Sequence, residues 1–144
     1  MTKVFERIIA PVDGSEVAKK AAKKALALAK TMDIKVVAMH VINIPDRPSP
    51  SLYAGSIRYQ LHELLQNEGQ SYLDEIEDFG EQMGVIISKK LVEGHPAEEI
   101  IKEAKEDDLI VIGSKGRTGL DRLLMGSVAE NVARHASCPV MIVK

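Results

Sequence analysis

The chain has 144 residues, a net charge of −2, 45% hydrophobic residues and 28% charged ones. That length suits one domain, 1–144, with enough interior for a packed core, and the charge gives no support to nucleic-acid binding driven by bulk electrostatics. A single cysteine, Cys138, excludes an intramolecular disulfide and a cysteine-based zinc site, and 3% aromatic residues without tryptophan argue against base-stacking platforms for single strands.

The opening segment, MTKVFERIIAPVDGSE, lacks the long apolar stretch of a signal peptide, and no run reaches the ~20 apolar residues of a membrane span. The expectation is a soluble, cytoplasmic protein with no membrane association. Residues 4–13 read as a first strand, with Ile8, Ile9 and Val12 near its end. Asp13-Gly14-Ser15 then turns the chain, and Ser15 is placed to cap a helix over residues 16–32. Ala18, Ala21, Ala22, Ala25, Leu28 and Ala29 form its narrow apolar face; its lysines read as a solvated face.

Residues 34–44 are a nearly continuous run rich in Val and Ile, as in strands buried on both faces of a parallel sheet. A proline-rich loop, 45–56, follows, of the length usual for a lid or binding loop. A long amphipathic helix comes next, carrying Leu61, Leu64, Leu65, Tyr72, Leu73, Ile76, Phe79 and Met83, with Gly84 as its stop. Residues 85–94 are a third strand. Pro96 opens a short helix behind His95, which is placed to cap it. Residues 108–113 are a fourth strand, SVAENVARHA a fourth helix and CPVMIVK a fifth strand. This strict alternation predicts an α/β fold: a single doubly wound domain with a parallel sheet and helices on both faces.

Ligands of such sheets bind beyond the carboxyl ends of the strands, where the strand order reverses. Strand 1 ends in APVDGS and strand 4 in GSKGRTG. If those strands are neighbours, Asp13 and the glycine loop share one cleft. The loop then runs into a helix, whose first N–H groups are unpaired and carry partial positive charge. Gly126 leaves room for an anion, Ser127 offers a hydroxyl, and Lys115, Arg117 and Arg122 add positive charge, which together make a phosphate site.

Each part also has a plainer reading. Ser127 and Glu130 have capping-box spacing, Gly113 suits a strand-end turn, and Asp13 is either a ribose or Mg²⁺ ligand or a turn-forming Asp. No Walker A loop and no dinucleotide fingerprint follow the first strand. A phosphorylated receiver domain would need paired acidic residues after strand 1, which are missing. His40, His62, His95 and His135 show no metal-ligand spacing, and Cys138 has no histidine partner for nucleophilic chemistry.

The stretch GSKGRTGLDRLLMGSVAENVARHASCPVMIVK closely resembles the C-terminal signature of the universal stress protein family. ERIIAPVDGSEVAKKAAKKALALAK resembles the family's start and EGHPAEEIIKEAKEDDLIVIGSKG its middle, so that the likeness spans nearly the whole chain. Gly113, Gly116, Gly126 and Ser127 fit G-x2-G-x9-G-[ST], the pattern of the family's ATP-binding branch. The resemblance implies a five-stranded parallel sheet in the order 3-2-1-4-5 and an ATP ligand with Mg²⁺ or Mn²⁺. It implies that Asp13 contacts the ribose or the metal beside Pro11 and Val12. The Val41 backbone would meet the adenine edge, and Gly113 would approach the ribose. Ser114, Gly116 and Arg117 would line the phosphates, with Gly126, Ser127 and Val128 holding them at the helix start.

It also implies a homodimer through the last strand, Pro139 to Lys144, which is apolar on both faces and would be a bare edge. The resulting expectation is a nucleotide-dependent stress sensor or adaptor with an unidentified protein partner. No catalytic apparatus for more than slow ATP hydrolysis is evident. The alternative is a dimeric interaction module of the same fold that needs no nucleotide.

Overall fold

A computed structural model describes residues 3–43, 54–116 and 125–144. Five strands and four helices alternate: β1 (Arg7–Pro11), α1 (Glu16–Met32), β2 (Lys35–Ile42), α2 (Ala54–Met83), β3 (Ile87–Glu93), α3 (Pro96–Glu103), β4 (Asp108–Gly113), α4 (Ser127–His135) and β5 (Val140–Val143). All strands are parallel, in the order β3-β2-β1-β4-β5. The order reverses between β1 and β4, so the topological switch point lies between their carboxyl ends.

The sheet is covered on both faces, which accounts for its apolar strands. Ile8, Ala10, Val36, Ala38, Leu109 and Val111 pack in one core with α1 and α2. Ile9, Val37, Met39, Ile110 and Ile112 pack in a second core with α3 and α4. Successive side chains point to opposite faces, so a strand covered on both sides must be apolar at every position. α1 lies against the sheet through Ala18, Ala21, Ala22, Ala25, Leu26 and Ala29, all buried. Leu26, rather than Leu28, completes this face; Leu28 is only partly buried.

The helix ends follow local chemistry. Ser15 caps α1, its Oγ accepting from Ala18 N–H at 3.1 Å. Gly84 follows α2 at φ +75°, the left-handed conformation that suits glycine. Pro96 begins α3, while His95 occupies the cap position without a side-chain hydrogen bond. Two expected boundaries move. β1 is shorter than residues 4–13, because after Pro11 the chain makes one more ladder bond, Val12 N–H to Met39 O at 2.8 Å, and turns. α2 begins at Ala54, inside the segment expected to be loop; the rest of that loop, 45–53, lies outside the described residues.

Away from the switch point, at the amino ends of the strands, β1 and β4 are clamped by charge. The buried Asp108 accepts from Arg7 Nε at 3.0 Å and from Lys105 N–H at 2.7 Å. The Arg7 guanidinium also donates to the Glu103 carbonyl at 2.9 Å. The two sheet edges differ. β3 carries Lys89, paired with Asp74 and Glu77, and Lys90, paired with Glu103. β5 carries no charge, and its Met141 is exposed.

Candidate functional site

At the end of β1, Asp13 Oδ1 accepts from Ser15 N–H at 2.9 Å, an Asx turn that feeds the capped start of α1. Gly14 within the turn has φ +85°, and a Cβ there would lie 2.5 Å from the Tyr72 ring. The other carboxylate oxygen, Oδ2, faces across the switch point, 3.0 Å from where a Cβ on Gly116 would sit. The two readings of Asp13 therefore fall on different oxygens: one forms the turn, the other faces the glycine loop.

At the end of β4, Ser114 N–H donates to Val143 O at 2.8 Å, and Gly126 N–H returns to Ser114 O at 2.6 Å. The loop is thus tied at its base where it leaves β4 and where it enters α4. Gly126, not Ser127, is the N-cap of α4, and among the described residues no side chain caps this helix. Ser127 stands at the first helical position, so the Ser127–Glu130 capping box does not form; Glu130 binds Arg134 at 2.9 Å instead. The first intrahelical bond is Glu130 N–H to Gly126 O at 3.0 Å. The N–H groups of Ser127, Val128 and Ala129 precede it and have no intrahelical acceptor. In contrast to the start of α1, these donors, at the positive end of the helix dipole, have no acceptor among the described residues.

Between these ends lies a cleft of about 360 Å³. Pro11, Val12, Asp13, Val41, Gly113, Gly116, Gly126, Ser127 and Val128 all line it, as does Lys115. Of the expected site residues, Ser114 does not line the cleft; its backbone ties the loop to β5 and α4. Arg117, with Gly119 and Arg122, lies outside the described residues. Gly113 lines the cleft, but its missing side chain has another cause: a Cβ would lie 2.9 Å from Val17 and 3.1 Å from the Ala18 nitrogen of α1.

The wall also includes residues that sequence reasoning missed: Met39, His40, Asn43, Pro96, Ile100 and Ile112. Met39 and Ile112 looked like ordinary strand interior, and only the position of the strand end shows that they floor a cavity. His40 carried a weak signal, as a polar residue inside an apolar strand. Its Nδ1 lies 2.7 Å from the Val12 carbonyl oxygen, and its ring meets Tyr72 edge-on at 5.4 Å between centroids. His62 contacts Glu93, and His135 Nδ1 lies near Asn131 O, both away from the cleft. Cys138 is buried; burial, and secondarily the Asp108 charge, push its thiol pKa up, away from nucleophilic use. Among the described residues no group of three or more His, Cys, Asp or Glu side chains could hold a metal ion.

Among the described residues the arrangement is a mostly apolar slot with one carboxylate, one lysine and an uncapped helix start at its polar end, set at the switch point of a doubly wound sheet. That defines the chain as an α/β protein with a cleft at the switch point of its sheet. Its relatives are consistent with this class: the universal stress protein family profile matches residues 5–144. The chain belongs to the universal stress protein family. It is 43% identical to universal stress protein MJ0531 of Methanocaldococcus jannaschii, over 98% of this chain and 83% of that one. It is 32% identical to MJ0577 of the same organism over 100% and 98% of the two chains, and the solved MJ0577 structure superposes with a TM-score of 0.82. UspA from Lactobacillus plantarum, 24% identical, shares the fold over the full length of both chains with a TM-score of 0.88. Two other family structures are complexes, one with cAMP and one, from Archaeoglobus fulgidus, with dAMP. No helix among the described residues is long and apolar enough to cross a membrane.

Proposed function

We propose that this protein is an ATP-binding member of its family that acts as a nucleotide-dependent sensor or adaptor in the cytoplasm. The observation that carries the reading is the uncapped start of α4, which faces Asp13 Oδ2 and Lys115 across a cleft with an apolar floor. A nucleotide placed there would bury its base beside Val41 and its ribose near Asp13. Its phosphates would accept from the Ser127, Val128 and Ala129 N–H groups, with Gly116 and Gly126 keeping the approach clear. The cAMP and dAMP complexes of other family members support an adenine ligand. Mg²⁺ or Mn²⁺, when bound, would neutralise phosphate charge. Asp13 is the one carboxylate among the described residues of the cleft, so the phosphates themselves would supply most of the metal's oxygen ligands. Arg117 is assigned to the phosphates by its place in the motif.

The reading is of a binding protein with at most slow hydrolysis, because the one carboxylate among the cleft's described residues already has an oxygen committed to a turn. The protein is a homodimer in this reading, paired through β5: the β3 edge is defended by lysines, whereas β5 is apolar with Met141 exposed.

Thermal denaturation against Mg-ATP, ADP, AMP and buffer tests the reading. A ligand at 100 times its Kd stabilises by about 2.7 kcal/mol, or about 5–10 °C in a domain of this size. The shift should appear with ATP and vanish in Gly126→Trp, since even a Cβ there lies 3.3 Å from Lys115 Cα and Ser114 O. No shift with any nucleotide, on protein shown to be free of carried-over ligand, would overturn it. A second reading has its own observation: Ile57, Tyr59 and Leu64 of α2 are exposed, as on a protein-docking helix. An interaction module of that kind would keep its partner in Gly126→Trp.

A further inference from the structure

The parallel ladder between β1 and β2 breaks one step early, at the residue expected to read the base. Each residue of a strand directs its N–H and C=O to the same side, and the side alternates along the chain. Val36 N–H bonds Ile86 O and Gly94 N–H bonds Ile42 O, so even-numbered residues of β2 face β3. Val12 N–H bonds Met39 O, so odd-numbered residues face β1. Val41 therefore directs its N–H and C=O toward β1. The register, Pro11 opposite Met39 and hence Val12 opposite His40, would give Val41 N–H the Val12 carbonyl and Val41 O the Gly14 N–H.

Neither bond is made among the described residues. The chain enters the Asp13–Ser15 turn at this point, and Gly14 N–H makes no ladder bond among the described residues. The Val12 carbonyl is taken by the His40 side chain, with Nδ1 at 2.7 Å. A carbonyl only accepts, so Nδ1 carries the proton. The ring is seated firmly: a Cβ on Gly69 would lie 2.5 Å from its Cδ2, and Tyr72 packs edge-on.

We propose that His40 is a positioning residue for base recognition: by occupying the Val12 carbonyl it keeps the Val41 N–H and C=O free in the cleft wall, where they read the edge of adenine. The proposal rests on the nucleotide reading above. Adenine presents an acceptor, N1, beside a donor, the N6 amino group, which matches an adjacent N–H and C=O. Guanine presents a donor at N1 beside the O6 acceptor, the reverse order. An open Val41 thus selects adenine over guanine, whereas a Val41 N–H closed onto Val12 reads neither.

The test has a ligand-free arm and a binding arm. In ligand-free protein, amide hydrogen exchange by NMR should show Val41 exchanging at least about tenfold faster than Met39, whose N–H lies within the ladder. His40→Leu should protect Val41, because the freed carbonyl can take its N–H. His40→Asn, whose amide nitrogen has the reach of Nδ1, should leave Val41 unprotected. In calorimetric titrations His40→Leu should weaken ATP about 10- to 100-fold, the worth of two neutral hydrogen bonds, while GTP changes little and His40→Asn stays near wild type. Protection of Val41 in the wild type, or equal loss of ATP and GTP in His40→Leu, would overturn the proposal. If His40→Leu does not fold, wild-type exchange and the His40→Asn titration still decide it. If wild type binds no nucleotide while Val41 is unprotected, the nucleotide reading and the base recognition fail together, and the interrupted ladder stands.

Discussion

Replacing Asp108 by Ala should separate stability from ligand binding. The Asp108 side chain is 2% exposed and accepts two charge-assisted bonds, from Arg7 Nε at 3.0 Å and Lys105 N–H at 2.7 Å. Breaking a buried pair by removing one partner costs about 3–5 kcal/mol. The lower end applies, because Arg7 is 17% exposed and keeps the Glu103 carbonyl at 2.9 Å. A loss of about 3 kcal/mol corresponds to a fall in Tm of about 6–12 °C for a domain of this size. The pair joins the first residues of β1 and β4, at the end of the sheet opposite the cleft. The upward shift in Tm that the proposed function expects from saturating ATP should therefore be the same in the variant. Chemical denaturation and thermal melts, with and without nucleotide, measure both quantities. Arg7→Met combined with Asp108→Leu should cost less than the two single changes summed, since no charge is then left unpartnered. A loss under about 1 kcal/mol in Asp108→Ala, or simple additivity in the double variant, would refute the account of this clamp.

Gly14→Ala should lose about 2 kcal/mol of stability in denaturant titrations, because it forces a side chain into φ +85° and against the Tyr72 ring. Asp74 has its pKa lowered, chiefly by the hydrogen bond from Lys89 and then by the one from Gln70. A depressed carboxylate pKa stabilises above the unfolded value, about 3.9, and the effect is lost as pH falls through the folded value. Asp74→Asn should therefore differ from wild type at pH 7 and converge with it by about pH 2, in urea titrations across that range. Cys138, whose thiol pKa is raised by burial and then by Asp108, should react with iodoacetamide at pH 8 about 100-fold more slowly in the folded than in the urea-unfolded protein.

Much of this molecule follows from local chemistry. Continuous apolar runs identify doubly covered strands, and Ser15, Gly84 and Pro96 mark helix ends through interactions within a few residues. The spacing of Gly113, Gly116, Gly126 and Ser127 could likewise be read as a loop entering a helix. The roles within that loop were not legible one residue at a time. Ser127 and Glu130 have capping-box spacing, yet the helix begins one residue earlier and stays uncapped, because Gly126 N–H is drawn onto Ser114 O. Gly113 looked like a turn or ligand glycine, and the contact that excludes its Cβ comes from α1, about a hundred residues away in sequence. The Ser114 N–H ties the loop to β5, a contact that no local pattern announces.

His40 shows the same division. The sequence by itself placed it in an apolar strand and assigned it nothing. Tertiary structure decided that β1 stops one residue short of it, that Gly69 leaves space for its ring and that the Val12 carbonyl falls within its reach. Periodicity and capping act over a few residues, so a linear sequence records them. A strand end, a seat for a ring and a shared acceptor depend on segments that meet only after the sheet orders itself as β3-β2-β1-β4-β5, and no stretch of the sequence contains that information alone.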